Sequence, residues 1–225
     1  MSDKKSSKAL RKTQLQLFFQ FFINIAFALY NGTIAILIGS IWFGALATYY
    51  ILLIILRGSI LAYHTKRRRA IKKGQSEAET LLQDTKVYGK CGILLVLLPV
   101  ALSGALLQMV LANASFVHRG MTIYIYALYA LYKISMAIYH FVKTRNTPEM
   151  TVRASKNINL ADALVSVLAL QTAFFHEFGA HMGDFNINAM NAVTGAVVCA
   201  LTLALGIVMI VKSKRSLKKS KAASE

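Results

Sequence analysis

Six long apolar stretches constrain this chain more than any other feature of its sequence. They run roughly over residues 15–37, 41–63, 88–111, 120–142, 158–178 and 188–211. Each stretch has about the 20 mostly apolar residues that a transmembrane helix needs to cross the hydrocarbon core of a bilayer. Within that core a helix satisfies its own backbone hydrogen bonds. The sequence therefore predicts an all-α, polytopic integral membrane protein with six transmembrane helices.

The composition agrees with this class and argues against others. Hydrophobic residues make up 56% of the 225 residues and charged residues only 16%, whereas soluble domains average about 25% charged. A disordered chain would need low hydrophobicity. A nucleic-acid-binding domain could carry the net charge of +17, but it would not contain so many apolar runs. The two cysteines, Cys91 and Cys199, are too few for a disulfide scaffold or a four-cysteine zinc site, and the sequence indicates no cofactor.

The basic residues predict the orientation of the chain. Of the 26 lysines and arginines, 23 lie in the N-terminal tail, after the second and fourth stretches, or in the C-terminal tail. Positively charged segments stay in the cytoplasm, so both termini are expected there, and an even number of spans agrees with this. The predicted organisation is a basic tail at 1–13, a single membrane domain at 14–211 and a second basic tail at 212–225. We expect a bacterial inner (plasma) membrane and contacts between the basic segments and anionic lipid head groups, without a nucleic-acid partner.

Local signals predict where some of these helices begin, end and bend. A tight turn near Gly39-Ser40 separates the first two stretches, with a break at Asn31-Gly32 as the alternative. Ser76 and Glu79 match a capping box, which predicts a helix that starts there and continues into the third stretch. Pro99 predicts a kink within that helix.

Two of the predicted helices carry matching side chains at seven-residue intervals, and seven residues advance a helix by about two turns. The two sets lie 76 positions apart: Tyr50, Arg57 and His64 in the second helix, and Tyr126, Lys133 and His140 in the fourth. Each set therefore forms a stripe on one face, which we expect to point inward. The pattern suggests three tandem helical hairpins, the last of them degenerate.

Three ionisable residues lie inside predicted helices, where charges are costly and usually face the bundle or a wet cavity. They are Arg57, Lys133 and Asp162. Lys133 and Asp162 lie on consecutive helices at similar depths, so we expect them to pair, which leaves Arg57 without an internal partner. The surplus positive charge predicts a site for a small anionic substrate or a lipid head group, held by Arg57 and Lys133, with Asp162 orienting Lys133. Tyrosines are expected as further substrate-binding residues: Tyr50, Tyr126 and Tyr129. The alternative is an ion-paired bundle core without a ligand.

Amide side chains line one face of the first helix, at Gln16, Gln20, Asn24 and Asn31. Amides inside a membrane often form hydrogen bonds between helices, so they favour helix association, with the lining of a pathway as the alternative.

A second polar group lies at the outer end of the fifth helix: His176, Glu177, His181 and Asp184. The two histidines are five residues apart, whereas a metalloprotease helix has its ligands at i and i+4 on one face. A solvated outer segment is therefore favoured, and no metal site is predicted.

The leading functional hypothesis is a small transporter, or the binding subunit of one, for a small and anionic solute. Two other classes stay open: a membrane-embedded enzyme acting on a lipid-linked substrate, which would need the histidine group, and a non-transporting assembly or sensory protein. A membrane-protein partner or a homo-oligomer is compatible with each.

Overall fold

The computed structural model of the chain describes residues 2–72, 77–111, 121–143, 150–178 and 186–222. These ranges contain six α-helices: α1 (Ser2–Ile38), α2 (Ile41–Lys72), α3 (Glu77–Leu111), α4 (Met121–Lys143), α5 (Met150–Phe178) and α6 (Ile187–Ala222). The described chain is therefore all-helical, as the sequence predicts.

Four of the helices are long and apolar enough to cross a membrane by length and composition, counted over the described residues. The segments are Leu17–Ile38 in α1, Phe43–Arg67 in α2, Thr80–Gly104 in α3 and Ile187–Lys218 in α6. They are consistent with a multi-pass membrane protein. The count of six spans stays a prediction.

The predicted turn between the first two helices is present at Gly39-Ser40. Gly39 has a φ of +67°, a left-handed conformation that glycine adopts without steric cost and that commonly ends a helix. The Ser40 carbonyl then accepts a hydrogen bond from the amide of Gly44 at 3.1 Å, which starts α2. Small residues let α1 and α2 approach closely beyond this turn, since a Cβ placed on Gly32 would lie 3.9 Å from the Cβ of Ala47.

The described part of helix α3 runs from Glu77 and contains Pro99 within its apolar segment. Ser76 lies outside the described residues, so the capping box stays a prediction, as does the kink at Pro99. Helix α6 has its own cap, because the Asn186 side-chain oxygen accepts a hydrogen bond from the amide of Ala189 at 3.0 Å.

The principal partner of α3 is α6, and the two helices run antiparallel with their backbones close together. A Cβ placed on Gly206 would lie 3.0 Å from the carbonyl oxygen of Gly92. At the same end, the Ser213 hydroxyl donates to the carbonyl of Thr85 at 2.8 Å. Over the described residues, α4 packs mainly on α5 and makes little contact with α3. The tandem-hairpin arrangement therefore stays a prediction.

Helix α5 is central, because it contacts α2, α3, α4 and α6. It buries a row of polar side chains that includes Asn159, Asp162 and Ser166. A helix surrounded by other helices can carry such residues, because its neighbours supply hydrogen bonds that lipid cannot.

Hydroxyl groups on the outward faces form their hydrogen bonds within their own helices. Thr33, Thr48 and Ser59 are exposed, and each donates its hydroxyl hydrogen to the carbonyl four residues earlier, at 2.7–2.9 Å. Many large aliphatic and aromatic side chains are also exposed on the helices, for example Ile36, Val100 and Leu128. An outer surface of this kind suits contact with lipid, where an unsatisfied polar group is costly.

Candidate functional site

A single carboxylate on α5 joins two cations that come from α2 and α4. Asp162 accepts hydrogen bonds from Arg57 at 2.7 Å through Oδ2 and from Lys133 at 2.7 Å through Oδ1. All three residues are buried, with 2%, 1% and 7% of their surfaces exposed, respectively. Short hydrogen bonds between ionised groups are the strongest kind in proteins, so this three-ion cluster ties three helices together.

Neutral groups complete the coordination of the ions. The Tyr49 hydroxyl donates to Asp162 Oδ1 at 2.9 Å. The guanidinium of Arg57 donates to the Asn159 side-chain oxygen at 3.2 Å and to the backbone carbonyl of Gln20 at 3.3 Å. Through this last bond the cluster also reaches α1.

Aromatic rings enclose the Lys133 ammonium. Its nitrogen lies 4.4 Å from the centre of the Tyr129 ring and 5.1 Å from that of Tyr50. Phe27 of α1 lies between the same two rings and stacks on both, with centroid distances of 4.4 Å to Tyr129 and 5.3 Å to Tyr50. A cation over an aromatic face gains about 0.5–2 kcal/mol, so the rings offset part of the cost of burying the lysine.

The cluster carries two positive charges and one negative charge, a formal surplus of one. Part of the guanidinium is also unsatisfied, since Arg57 Nε has no hydrogen-bond partner among the described residues. A buried cation without full compensation costs several kcal/mol. The arrangement is therefore suited to attract a small anion to the Arg57 side of the cluster.

The structure brings together five of the six residues that the sequence proposed for the site: Tyr50, Arg57, Tyr129, Lys133 and Asp162. The side chain of the sixth, Tyr126, is not among those that the structure describes. The expected pair of Lys133 and Asp162 is confirmed. The expectation that Arg57 has no internal partner is wrong, because α2 packs against α5 and brings the guanidinium to the same carboxylate. The inward orientation of Tyr50 and of His64, the other members of that stripe, is confirmed by their burial.

Three residues of the site were not found from the sequence. Asn159 precedes Asp162 by three positions and so shares its helix face, a spacing that could have indicated it. Tyr49 and Phe27 carry no such signal, because their roles depend on how α1, α2 and α4 pack.

The outer histidine group cannot be placed. His181 and Asp184 lie outside the described residues, as do the side chains of His176 and Glu177. Within the described part of the chain, no group of three or more His, Cys, Asp or Glu side chains is placed to hold a metal ion. Cys91 and Cys199 are both free thiols.

The fold and the site together define an all-helical protein with apolar helices consistent with a multi-pass membrane protein and with a buried, positively charged ion cluster at its centre. Comparisons with protein-family models, with curated proteins and with solved structures find no match for this chain.

Proposed function

We propose that this chain is a six-span inner-membrane protein that binds and transports a small anion, either alone or as the binding subunit of a transporter. The observation that carries the proposal is the surplus positive charge of the Arg57–Asp162–Lys133 cluster. Charges buried at membrane depth usually mark a ligand or ion pathway. An incoming monoanion would make the cluster electrically neutral and would satisfy Arg57 Nε.

The distribution of basic residues supports both termini in the cytoplasm. Helix α2 ends, α3 begins and α6 ends on one side of the helical bundle, as the contacts of Arg67 with Asp84 and of Ser213 with Thr85 indicate. Exposed lysines and arginines gather on that side: Lys66, Arg69, Lys86, Lys90, Lys212, Lys214, Arg215 and Lys218. Such a basic surface belongs on the cytoplasmic side and favours contact with anionic lipid head groups.

The test of anion binding uses ligands that differ in charge. The purified protein in lipid nanodiscs is unfolded by heat with chloride, formate or propionate, and with neutral propionamide. A ligand at 100 times its Kd stabilises the folded state by about 2.7 kcal/mol, so at least one anion should raise the Tm while propionamide should not. Uptake of the same labelled anion into proteoliposomes then separates a transporter from a non-transporting binding protein.

The matched variants are Arg57→Met and Lys133→Met. Each removes one cation and leaves the other paired with Asp162, so the core becomes neutral and folding is retained while anion binding is lost. Arg67→Met, at the cytoplasmic end of α2, is the control and should bind anions as the wild type does. Anion binding that survives in both cluster variants would refute the proposed site.

A further inference from the structure

Two amide side chains of α1, those of Gln20 and Asn24, are buried within the helical bundle. Gln20 and Asn24 are 7% and 0% exposed. Gln20 Oε1 and both side-chain polar atoms of Asn24 lack a hydrogen-bond partner among the residues that the structure describes. Nearly all buried polar groups in proteins have a hydrogen-bond partner. Buried amides whose polar atoms lack one therefore indicate a binding site for a polar group of a ligand.

These two amides belong to the part of α1 that lies level with Arg57. A Cβ placed on Gly58 would lie 3.3 Å from the ring of Phe21, so residues 57 and 58 of α2 lie level with residues 21 and 22 of α1. Arg57 is therefore level with the helical turn between Gln20 and Asn24, which spans about 6 Å. Its bond to the Gln20 carbonyl fixes it against α1 at that point.

The unpartnered atoms define what a ligand must offer. Arg57 Nε and Asn24 Nδ2 are donors, and they suit the two oxygens of a carboxylate. Gln20 Oε1 and Asn24 Oδ1 are acceptors, and they require a donor on the same ligand, such as a hydroxyl or an amine. An inorganic halide or a simple fatty acid would leave both acceptors unsatisfied.

Charge decides between the two kinds of donor. The cluster has a surplus of one positive charge, which a monoanion neutralises. A zwitterionic amino acid carries no net charge and would bring an additional ammonium close to Arg57 and Lys133. Like charges in a buried site repel strongly, so a hydroxyl is favoured over an ammonium group.

We propose that Gln20, Asn24 and Arg57 form a specificity subsite for a small 2-hydroxycarboxylate. The carboxylate accepts hydrogen bonds from Arg57 Nε and Asn24 Nδ2, and the hydroxyl donates to Gln20 Oε1. This inference rests on the proposed function, because it assigns a substrate class to the same positively charged cluster.

The experiment compares three ligands with the same three-carbon skeleton: lactate, propionate and alanine. Their binding to the nanodisc-reconstituted protein is measured by isothermal titration calorimetry. Wild-type protein should bind lactate at least about tenfold more tightly than propionate, because a site with buried acceptors discriminates against a ligand that lacks the matching donor. Alanine should bind more weakly than lactate by a similar factor or more.

Two variants test the assigned roles without endangering the fold, since each replaces an amide that has unsatisfied atoms by an apolar side chain of similar size. Gln20→Met should make the Kd values for lactate and propionate equal within about twofold by removing the acceptor for the hydroxyl. Asn24→Leu should weaken both ligands by about tenfold. Asn31→Leu, two turns farther along α1, is the control and should leave the binding of both unchanged.

The outcomes separate the two proposals. Equal affinities of the wild type for lactate and propionate would overturn the subsite and leave anion binding intact. The subsite is also overturned if lactate is preferred to the same degree in wild type and Gln20→Met. If no carboxylate and no inorganic anion binds at all, the proposed function fails, and the subsite fails with it.

Discussion

Replacing the central carboxylate gives the sharpest test of the ion cluster. Asp162→Asn keeps the shape of the side chain but removes the only negative charge of the cluster, so Arg57 and Lys133 are left as two buried cations. Both nitrogens now bond one carboxylate at 2.7 Å, which places them roughly 5–7 Å apart. At an effective dielectric constant of about 20, two unit charges about 6 Å apart repel by about 3 kcal/mol.

We expect Asp162→Asn to lower the free energy of unfolding by more than the removal of either cation does. Breaking a buried ion pair by removing one partner costs about 3–5 kcal/mol, and we expect Asp162→Asn to fall at the upper end of that range. Arg57→Met leaves a neutral Lys133–Asp162 pair and loses hydrogen bonds to Asn159 and to the Gln20 carbonyl. Unsatisfied groups of that kind cost about 1–3 kcal/mol, so this variant should be the more stable of the two.

The assay is equilibrium unfolding in mixed detergent micelles, read by circular dichroism, with the two single variants and their combination. Each single variant loses the ion pair between Arg57 and Asp162, and the double variant loses it only once. The double variant should therefore be more stable than additivity predicts, by about 0.5–3 kcal/mol. Asp84→Asn is the control, because its partner Arg67 lies 3.5 Å away and is partly exposed, and it should cost less. The charge argument would be refuted if Asp162→Asn were as stable as Arg57→Met. It would also be refuted if the double-mutant cycle gave no coupling free energy between Arg57 and Asp162.

Three further predictions follow from packing, hydrogen bonding and charge distribution. Gly206→Ala should destabilise the fold by about 1–3 kcal/mol in the same unfolding assay, because its Cβ would lie 2.7 Å from a valine of α3; Gly104→Ala, with no atom within 4 Å of the new Cβ, should not. Tyr49→Phe should cost about 1.5–3 kcal/mol by removing a hydrogen bond to the cluster carboxylate, whereas exposed Tyr132→Phe should be neutral, and a Tyr49→Phe variant as stable as the wild type would contradict the bond. Single cysteines at positions 70 and 150 of a cysteine-free chain should react with a membrane-impermeant maleimide only after cell lysis, and labelling in intact cells would reverse the proposed orientation.

The long helices could be predicted because apolar length and turn residues are local signals. The break at Gly39-Ser40 needs a residue that tolerates positive φ, and the sequence supplies glycine there. Helices α2 and α6 extend past the predicted apolar limits, to Lys72 and Ala222. Their basic ends contain lysine and arginine, which are good helix formers but carry no hydropathy signal, so the apolar pattern underestimates their length.

The choice of partner for each helix could not be predicted in the same way. The matching stripes 76 residues apart suggested tandem hairpins, with α3 paired to α4. Helix α3 instead packs most extensively on α6, where Gly92 and Gly206 let the two backbones meet. Small residues at a helix interface are a known cause of close approach in membranes, but they do not identify the partner.

In the candidate site, too, a contact between consecutive helices could be predicted, whereas contacts between distant helices could not. Lys133 and Asp162 could be paired from the sequence, because consecutive helices bring residues of similar depth together. The bond between Arg57 and Asp162 joins residues 105 positions apart and depends on α2 packing against α5. No local pattern contains that information, and the same holds for the stacking of Phe27 on Tyr129.

The proposed binding role accounts for features of the cluster that a purely structural role does not require. The three ions join α2, α4 and α5, but an apolar replacement of buried ionic groups is often as stable or more so. Here a second cation is added at the centre of the bundle, part of its guanidinium is unsatisfied, and two amides beside it have unpartnered atoms among the described residues. Each of these features lowers the stability of the protein alone. In the proposed complex the carboxylate of the ligand would compensate the second cation and bond Arg57 Nε and Asn24 Nδ2, and its hydroxyl would bond Gln20 Oε1. In this proposal the cost in stability and the affinity for a ligand have the same origin, which is why Arg57→Met should keep the fold and lose the ligand.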